Sequence, residues 1–132
     1  MKVDHVGIAV RSIEQAVRTY IASFGGQIVH REDLAEERVT VAFLDAGGIL
    51  LELLAPTAEG GSLGRFLGSR GEGLHHLAFE VADIQRALRN AERAGHRPVD
   101  RHPRRGSRGR LIAFLHPSTA GGVLIELVET PS

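Results

Sequence analysis

The stretch Asp4-His5-Val6-Gly7-Ile8-Ala9-Val10 is written a second time, in altered form, as His75-His76-Leu77-Ala78-Phe79-Glu80-Val81, at an offset of 71 residues. The same offset carries Ser12-Ile13 onto Asp83-Ile84, Ala16-Val17 onto Ala87-Leu88, and Ala42-Phe43-Leu44 onto Ala113-Phe114-Leu115. After a three-residue lengthening, Leu50-Leu51-Glu52-Leu53-Leu54 matches Leu124-Ile125-Glu126-Leu127-Val128. Two copies of one module therefore account for most of the chain, and an internal repeat constrains the fold before any local propensity is consulted.

Each copy reads as strand, helix, then three strands. Val3 to Val10 alternates as a half-buried strand does. Ser12 with Gln15 three residues on forms a capping box, Ile13, Ala16, Val17, Tyr20, Ile21 and Phe24 follow helical spacing, and Gly25-Gly26 stops the helix. In the second copy Asp83 caps, Ile84, Ala87, Leu88 and Ala91 form the apolar stripe, and Gly95 ends it. Strands are expected near residues 27–31, 38–45 and 49–54, and again near 97–100, 110–116 and 123–128. Gly47-Gly48 signals a hairpin. The expectation is an α+β fold: two tandem βαβββ modules forming a curved mixed sheet around a metal-containing cleft. Module 1 covers about residues 1–56 and module 2 about 74–130 of a single domain. The connector, residues 57–73, carries a short helical stretch near Leu63 to Leu67.

Composition narrows the chemistry. With 42% hydrophobic and 24% charged residues a packed core is expected. No apolar run reaches the roughly 18 residues of a membrane span, and the polar turn at Asp4 is unlike a signal peptide, so the expected location is the cytoplasm. Absence of cysteine excludes disulfides, thiolate metal sites and a cysteine nucleophile. A formal net charge of zero gives no global field toward nucleic acid or an anionic membrane, and neither is expected as a partner.

What remains is imidazole and carboxylate, and these recur at matching places: His5 with His76, and Glu52 with Glu126. Strand alternation sets His5 beside Gly7 and Ala9, and His76 beside Ala78, with the bulkier apolar residues on the opposite face. Glu52 and Glu126 interrupt the apolar runs ILLELL (residues 49–54) and VLIELV (residues 123–128). A buried unpaired carboxylate costs several kcal/mol, on the order of the penalty for an isolated buried charge, and a divalent cation would remove that cost. An N2O2 donor set suits an octahedral ion such as Co2+, Mn2+, Ni2+ or Mg2+. Any one of these residues alone has an ordinary structural explanation; their joint recurrence favours a metal site. Farther on, HPRRGSRGR (residues 102–110) combines glycines that admit close backbone approach with guanidinium groups suited to phosphate. The same loop also reads as a solvated hairpin.

The paired modules with His, Glu, His and Glu resemble the vicinal oxygen chelate (glyoxalase/bleomycin resistance/dioxygenase) superfamily. Within it, DHVGIAVRSIEQAV (residues 4–17), LLELLAP (50–56), GEGLHHLAFEV (71–81), IAFLHP (112–117) and GGVLIELVE (121–129) resemble the methylmalonyl-CoA epimerases. That resemblance implies metal ligands at His5, Glu52, His76 and Glu126, and one divalent ion per chain, cobalt foremost, with Mn2+, Ni2+, Mg2+ or Zn2+ as alternatives. It implies interconversion of (2R)- and (2S)-methylmalonyl-CoA by 1,1-proton transfer through a metal-stabilised enolate, an acyl-CoA as the small-molecule partner, and a homodimer. Glu126 is expected as one base and Glu52 as the other. Some epimerases use a glutamate on the preceding strand for the second base, at a position read here as Thr40. Arg104, Arg105, Ser107 and Arg108 are the expected CoA contacts. The rival readings on the same fold are a glyoxalase I-type lactoylglutathione lyase and a non-catalytic drug-binding resistance protein.

Overall fold

A computed structural model describes residues 2–131. Eight strands and three helices follow one another as β1 (Lys2–Ala9), α1 (Ile13–Phe24), β2 (Gln27–Leu34), β3 (Val39–Asp45), β4 (Leu50–Pro56), α2 (Gly61–Arg70), β5 (Gly73–Val81), α3 (Ile84–Arg93), β6 (Arg104–Arg105), β7 (Leu111–Leu115) and β8 (Ile125–Glu129). The strands form one sheet in the order β2-β3-β4-β1-β5-β8-β7-β6. It is mixed: β5 and β8 run parallel, whereas β2–β3, β3–β4, β6–β7 and β7–β8 are antiparallel. The α+β class and the strand-helix-strand repeat expected from the sequence are present.

Two compact units divide the chain, and the boundary falls inside β1 and β5 rather than in the connector: one unit runs from Val6 to His75, and the other takes residues up to His5 together with those from His76 onward. In the Val6–His75 unit, α1 begins where the sequence places it. The Ser12 hydroxyl accepts from Gln15 N at 3.2 Å, and Gly25 closes the helix in the left-handed region at φ 75°. A residue with a Cβ pays a steric cost there that glycine does not. The apolar stripe of α1, through Ile13, Ala16, Val17 and Tyr20, packs on Val10, Ala42, Leu44, Leu53 and Ala55. On the opposite face of the same strands, Ala9, Val39, Val41 and Phe43 meet Leu63 and Leu67 of α2. The connector helix is longer than the short stretch read from the sequence, and it covers a sheet face.

In the other unit α3 starts at the Asp83 cap, which accepts from Arg86 N at 3.1 Å. Ile84 and Leu88 pack on Ala113, Leu115 and Leu127, while Ala78, Ile112 and Val128 form a second cluster, joined by Phe114, on the other face.

The strand expected over residues 97–100 is replaced by a single bridge, Pro98 to Leu115, and regular pairing resumes only at β6. The segment still lies along β7, with Val99 N donating to Phe114 O at 2.8 Å and His116 N to Arg97 O at 2.7 Å. Proline has no N–H to give to a ladder. The carboxylate of Asp100 then takes the bond a backbone carbonyl would have accepted, from Phe114 N at 2.8 Å.

Between β6 and β7 the chain makes a tight turn in which Gly106 is needed for space rather than for its backbone angles. A Cβ there would lie 2.6 Å from Ile112 Cδ1 and 2.9 Å from its Cγ1. Gly106→Ala should therefore lower stability by about 1–3 kcal/mol, the usual cost of overpacking, read as a shift in the urea midpoint at unchanged slope.

Candidate metal centre

β1 and β5 place His5 and His76 at equivalent points, both with their buried faces inward; His5 is 1% exposed and His76 5%. Glu126 enters from β8, where it stands opposite Ala78 of β5 and Phe114 of β7. The Nε2 atoms of the two histidines are 3.0 Å apart, and Glu126 Oε1 is 3.0 Å from each. The rings meet edge to face at 89°, and Phe114 stands edge-on to His76 at 5.6 Å, giving that ring an apolar wall.

Glu52 repeats the pattern in the other unit: it sits on β4 opposite Phe43, as Glu126 sits opposite Phe114, and is 4% exposed. One ligand atom from each of His5, Glu52, His76 and Glu126 lies within 4.8 Å of the others.

The donor set fits a divalent ion. His5 Nε2, His76 Nε2 and Glu126 Oε1 converge at 3.0 Å from one another, and imidazole and carboxylate are donors that divalent first-row ions accept. With no cysteine in the chain, no thiolate donor is available.

Behind His5 lies a charged network that the sequence reading missed. His5 Nδ1 donates to Asp4 Oδ2 at 2.6 Å, which leaves Nε2 with the lone pair that a metal needs. Asp4 also receives Arg108 Nη2 at 2.5 Å and Arg110 Nη1 at 2.9 Å. Arg110, 8% exposed, donates from Nε to Glu129 O at 2.8 Å and forms an ion pair with Glu80, Nη2 to Oε1 at 3.5 Å. Burial alone would raise the Asp4 carboxyl, but the bonds from His5, Arg108 and Arg110 outweigh it and hold the group well below the usual carboxylate range. Alternation gives Asp4 and His5 opposite faces of β1, so adjacency in sequence argued against contact, and nothing marked Arg110 apart from its arginine neighbours.

The remaining expected residues divide. Ser107 is buried, and Arg108 is turned to Asp4 in the left-handed region at φ 60°, a conformation costing about 1–2 kcal/mol for a non-glycine residue. Arg104 pairs with Asp100 at 3.4 Å, and the exposed Arg105 donates to Gly109 O at 2.6 Å. Thr40 is a correction. It lies on the face of β3 that carries Ala42 and Leu44 toward α1, opposite to Phe43, the residue in register with Glu52. Its hydroxyl donates to Asp33 Oδ1 at 2.6 Å. A one-residue difference along a strand reverses the side, and Thr40 is on the wrong one for a base beside Glu52.

This repeated fold with its His, Glu, His, Glu donors is that of a known class, and the chain belongs to the Glyoxalase/Bleomycin resistance protein/Dioxygenase superfamily, whose family model matches residues 4–114. Among its relatives is the ethylmalonyl-CoA/methylmalonyl-CoA epimerase of Cereibacter sphaeroides, 34% identical over 97% of this chain and 97% of the relative. The crystal structure of the Mycobacterium tuberculosis methylmalonyl-CoA epimerase superposes with a TM-score of 0.93 at 38% identity, over 99% of this chain and 89% of that one. A variant of the Streptomyces coelicolor methylmalonyl-CoA epimerase, in complex with 2-nitronate-propionyl-CoA, gives the same TM-score of 0.93 and 38% identity over 100% and 99% of the two chains.

Two outcomes are expected. Co2+ at one hundred times its dissociation constant should raise unfolding free energy by about 2.7 kcal/mol, and His76→Ala should abolish that gain in thermal or urea unfolding. Because the Asp4 carboxyl is depressed in the folded chain, the stability it contributes is present above its unfolded value near 4 and is lost as pH falls below it. The stability gap between wild type and Asp4→Asn should accordingly shrink below about pH 4, measured by urea titrations at stepped pH.

Proposed function

We propose that the chain is a divalent-metal-dependent epimerase that interconverts (2R)- and (2S)-methylmalonyl-CoA. What carries this reading is the buried donor set His5, Glu52, His76 and Glu126, in a chain that matches named methylmalonyl-CoA epimerases over nearly its whole length. His5, His76, Glu52 and Glu126 would hold the ion, with Co2+ foremost. Once bound, it supplies Lewis-acid charge that favours negative charge developing on the thioester oxygen.

The chain's own residues then manage one proton on each face of C2. That hydrogen lies between a thioester and a carboxylate, so its removal leaves a planar, delocalised enolate. Glu126 takes the proton as the C2–H bond breaks and becomes a carboxylic acid. Glu52 would hold the ion through one oxygen and carry a proton on the other; that proton passes to the opposite face of C2 and leaves Glu52 a carboxylate. The product is the other epimer, and exchange with solvent restores the starting protonation. Inversion requires an acid and a base on opposite sides, and two carboxylates at repeat-related positions are the arrangement best suited to it. With Thr40 turned toward α1, Glu52 is the favoured second base.

The Arg104–Arg108 segment is the proposed contact for the acyl-CoA, with the exposed Arg105 toward phosphate and Ser107 and Arg108 nearer the acyl end. A cytoplasmic homodimer belongs to the same reading, and sedimentation velocity tests the dimer.

The deciding experiment incubates cobalt-loaded protein with methylmalonyl-CoA in D2O and follows deuterium at C2 by mass spectrometry, with metal-free protein as control. Metal-dependent exchange together with epimer conversion is expected. Exchange no faster than the control would reject the reading and make a glutathione hemithioacetal the next substrate to try. Glu126→Gln should lower turnover by about 10²–10⁴-fold, the usual weight of a general base, with a much smaller loss of cobalt affinity by calorimetry.

A further inference from the structure

We infer that Asp4 is a positioning residue that couples the metal centre to the Arg104–Arg110 loop, so that holding the ion and ordering that loop are one event. The inference rests on the metal reading above, and Asp4 itself is assigned no contact with the ion or the substrate.

Asp4 has two oxygens and three partners. Oδ2 receives both His5 Nδ1 and Arg108 Nη2, at 2.6 and 2.5 Å, and Oδ1 receives Arg110 Nη1 at 2.9 Å. A single carboxylate oxygen thus joins a ligand imidazole to a loop guanidinium. On the imidazole side, the bond fixes the ring's rotation and commits its proton to Nδ1. On the loop side, it holds Arg108 in its left-handed backbone conformation, next to Gly109 at φ 67°.

The loop is otherwise closed largely upon itself. Gly106 N donates to Arg110 O at 2.9 Å, and Arg105 Nη1 donates to Gly109 O at 2.6 Å. Its side-chain ties to the strands include Arg108 and Arg110 on Asp4, Arg110 on Glu129 O and the Arg110–Glu80 ion pair, and Asp4 also touches His5. A change in how firmly His5 is held therefore reaches Arg108 through one atom, and a change at Arg108 reaches His5 by the same route. Coupling of this kind is reciprocal. A plain buried ion pair would stabilise the fold without passing anything between loop and ligand.

The test measures Co2+ affinity by calorimetry and amide hydrogen exchange over residues 106–110 with and without the ion, in wild type, Asp4→Asn and Arg108→Ala. Expected are a loss of cobalt affinity of about 10–100-fold in Asp4→Asn, as for other partners of metal-bound histidines, and a smaller loss in Arg108→Ala. The visible spectrum of bound cobalt should shift in Asp4→Asn. In wild type the ion should slow exchange in the loop; in Asp4→Asn, at saturating cobalt, it should not. Unchanged affinity in both variants, or loop exchange indifferent to the ion in wild type, overturns the coupling while leaving the metal reading intact. Wild type that binds no cobalt overturns both. Should Asp4→Asn fail to fold, Arg108→Ala carries the test alone: its cobalt affinity must fall below that of wild type, and equal affinity rejects the coupling.

Discussion

Two imidazoles and two carboxylates are buried to within 5% of full exclusion from water, on strands whose other residues are mainly apolar. Their desolvation is the heaviest single demand the structure places on itself, since charged groups withdrawn from water cost several kcal/mol each unless paired, in the range known for buried ions. Much of the surrounding architecture can be understood as an answer to it. Strand alternation aims the groups one way and the α1 and α3 cores the other. The register repeats Phe43 beside Glu52 and Phe114 beside Glu126. The 3.0 Å triangle sets imidazole and carboxylate within hydrogen-bonding reach of one another and offers three donors to a shared cation.

The repeat is symmetrical in its ligands and asymmetrical in what supports them. His5 leans on a carboxylate bonded to two arginines, whereas His76 is walled by Phe114, and the residue before it, His75, packs edge-on against Phe66 at 4.8 Å. Equivalent positions 4 and 75 have therefore taken opposite physical roles, one electrostatic and one apolar. The two histidine rings are consequently held by different means, although the sequence writes them as equals.

The sequence made most of the fold legible because its information is periodic. An offset of 71 carries the first strand and helix cap onto their copies and, after a three-residue lengthening, 74 carries Glu52 onto Glu126; a period misread by one residue would have broken that correspondence. The buried group of two His and two Glu was legible for the same reason. What escaped depended on single residues acting outside the period. Pro98 and Asp100 turned an expected strand into one bridge and a side-chain bond. Thr40 was placed by a resemblance one strand residue away from where the face alternates, and a displacement of one residue is enough to put a side chain on the other side of a sheet. Asp4 and Arg110 meet across 106 positions of sequence, with no pattern to announce it.

The boundary inside β1 sets an order of assembly. Val6 to His75 is one continuous stretch of chain, whereas the unit containing His5 is split between the start of the chain and its second half. Glu126 is made 121 residues after His5, which at about 5–20 residues per second corresponds to a delay of about 6–24 seconds. Through that interval His5 is joined in turn by Glu52 and His76, while Glu126 does not yet exist. On the proposed metal reading the donor set is therefore completed only near the end of biosynthesis, and a nascent chain stalled before residue 126 would carry His5, Glu52 and His76 with the set still incomplete.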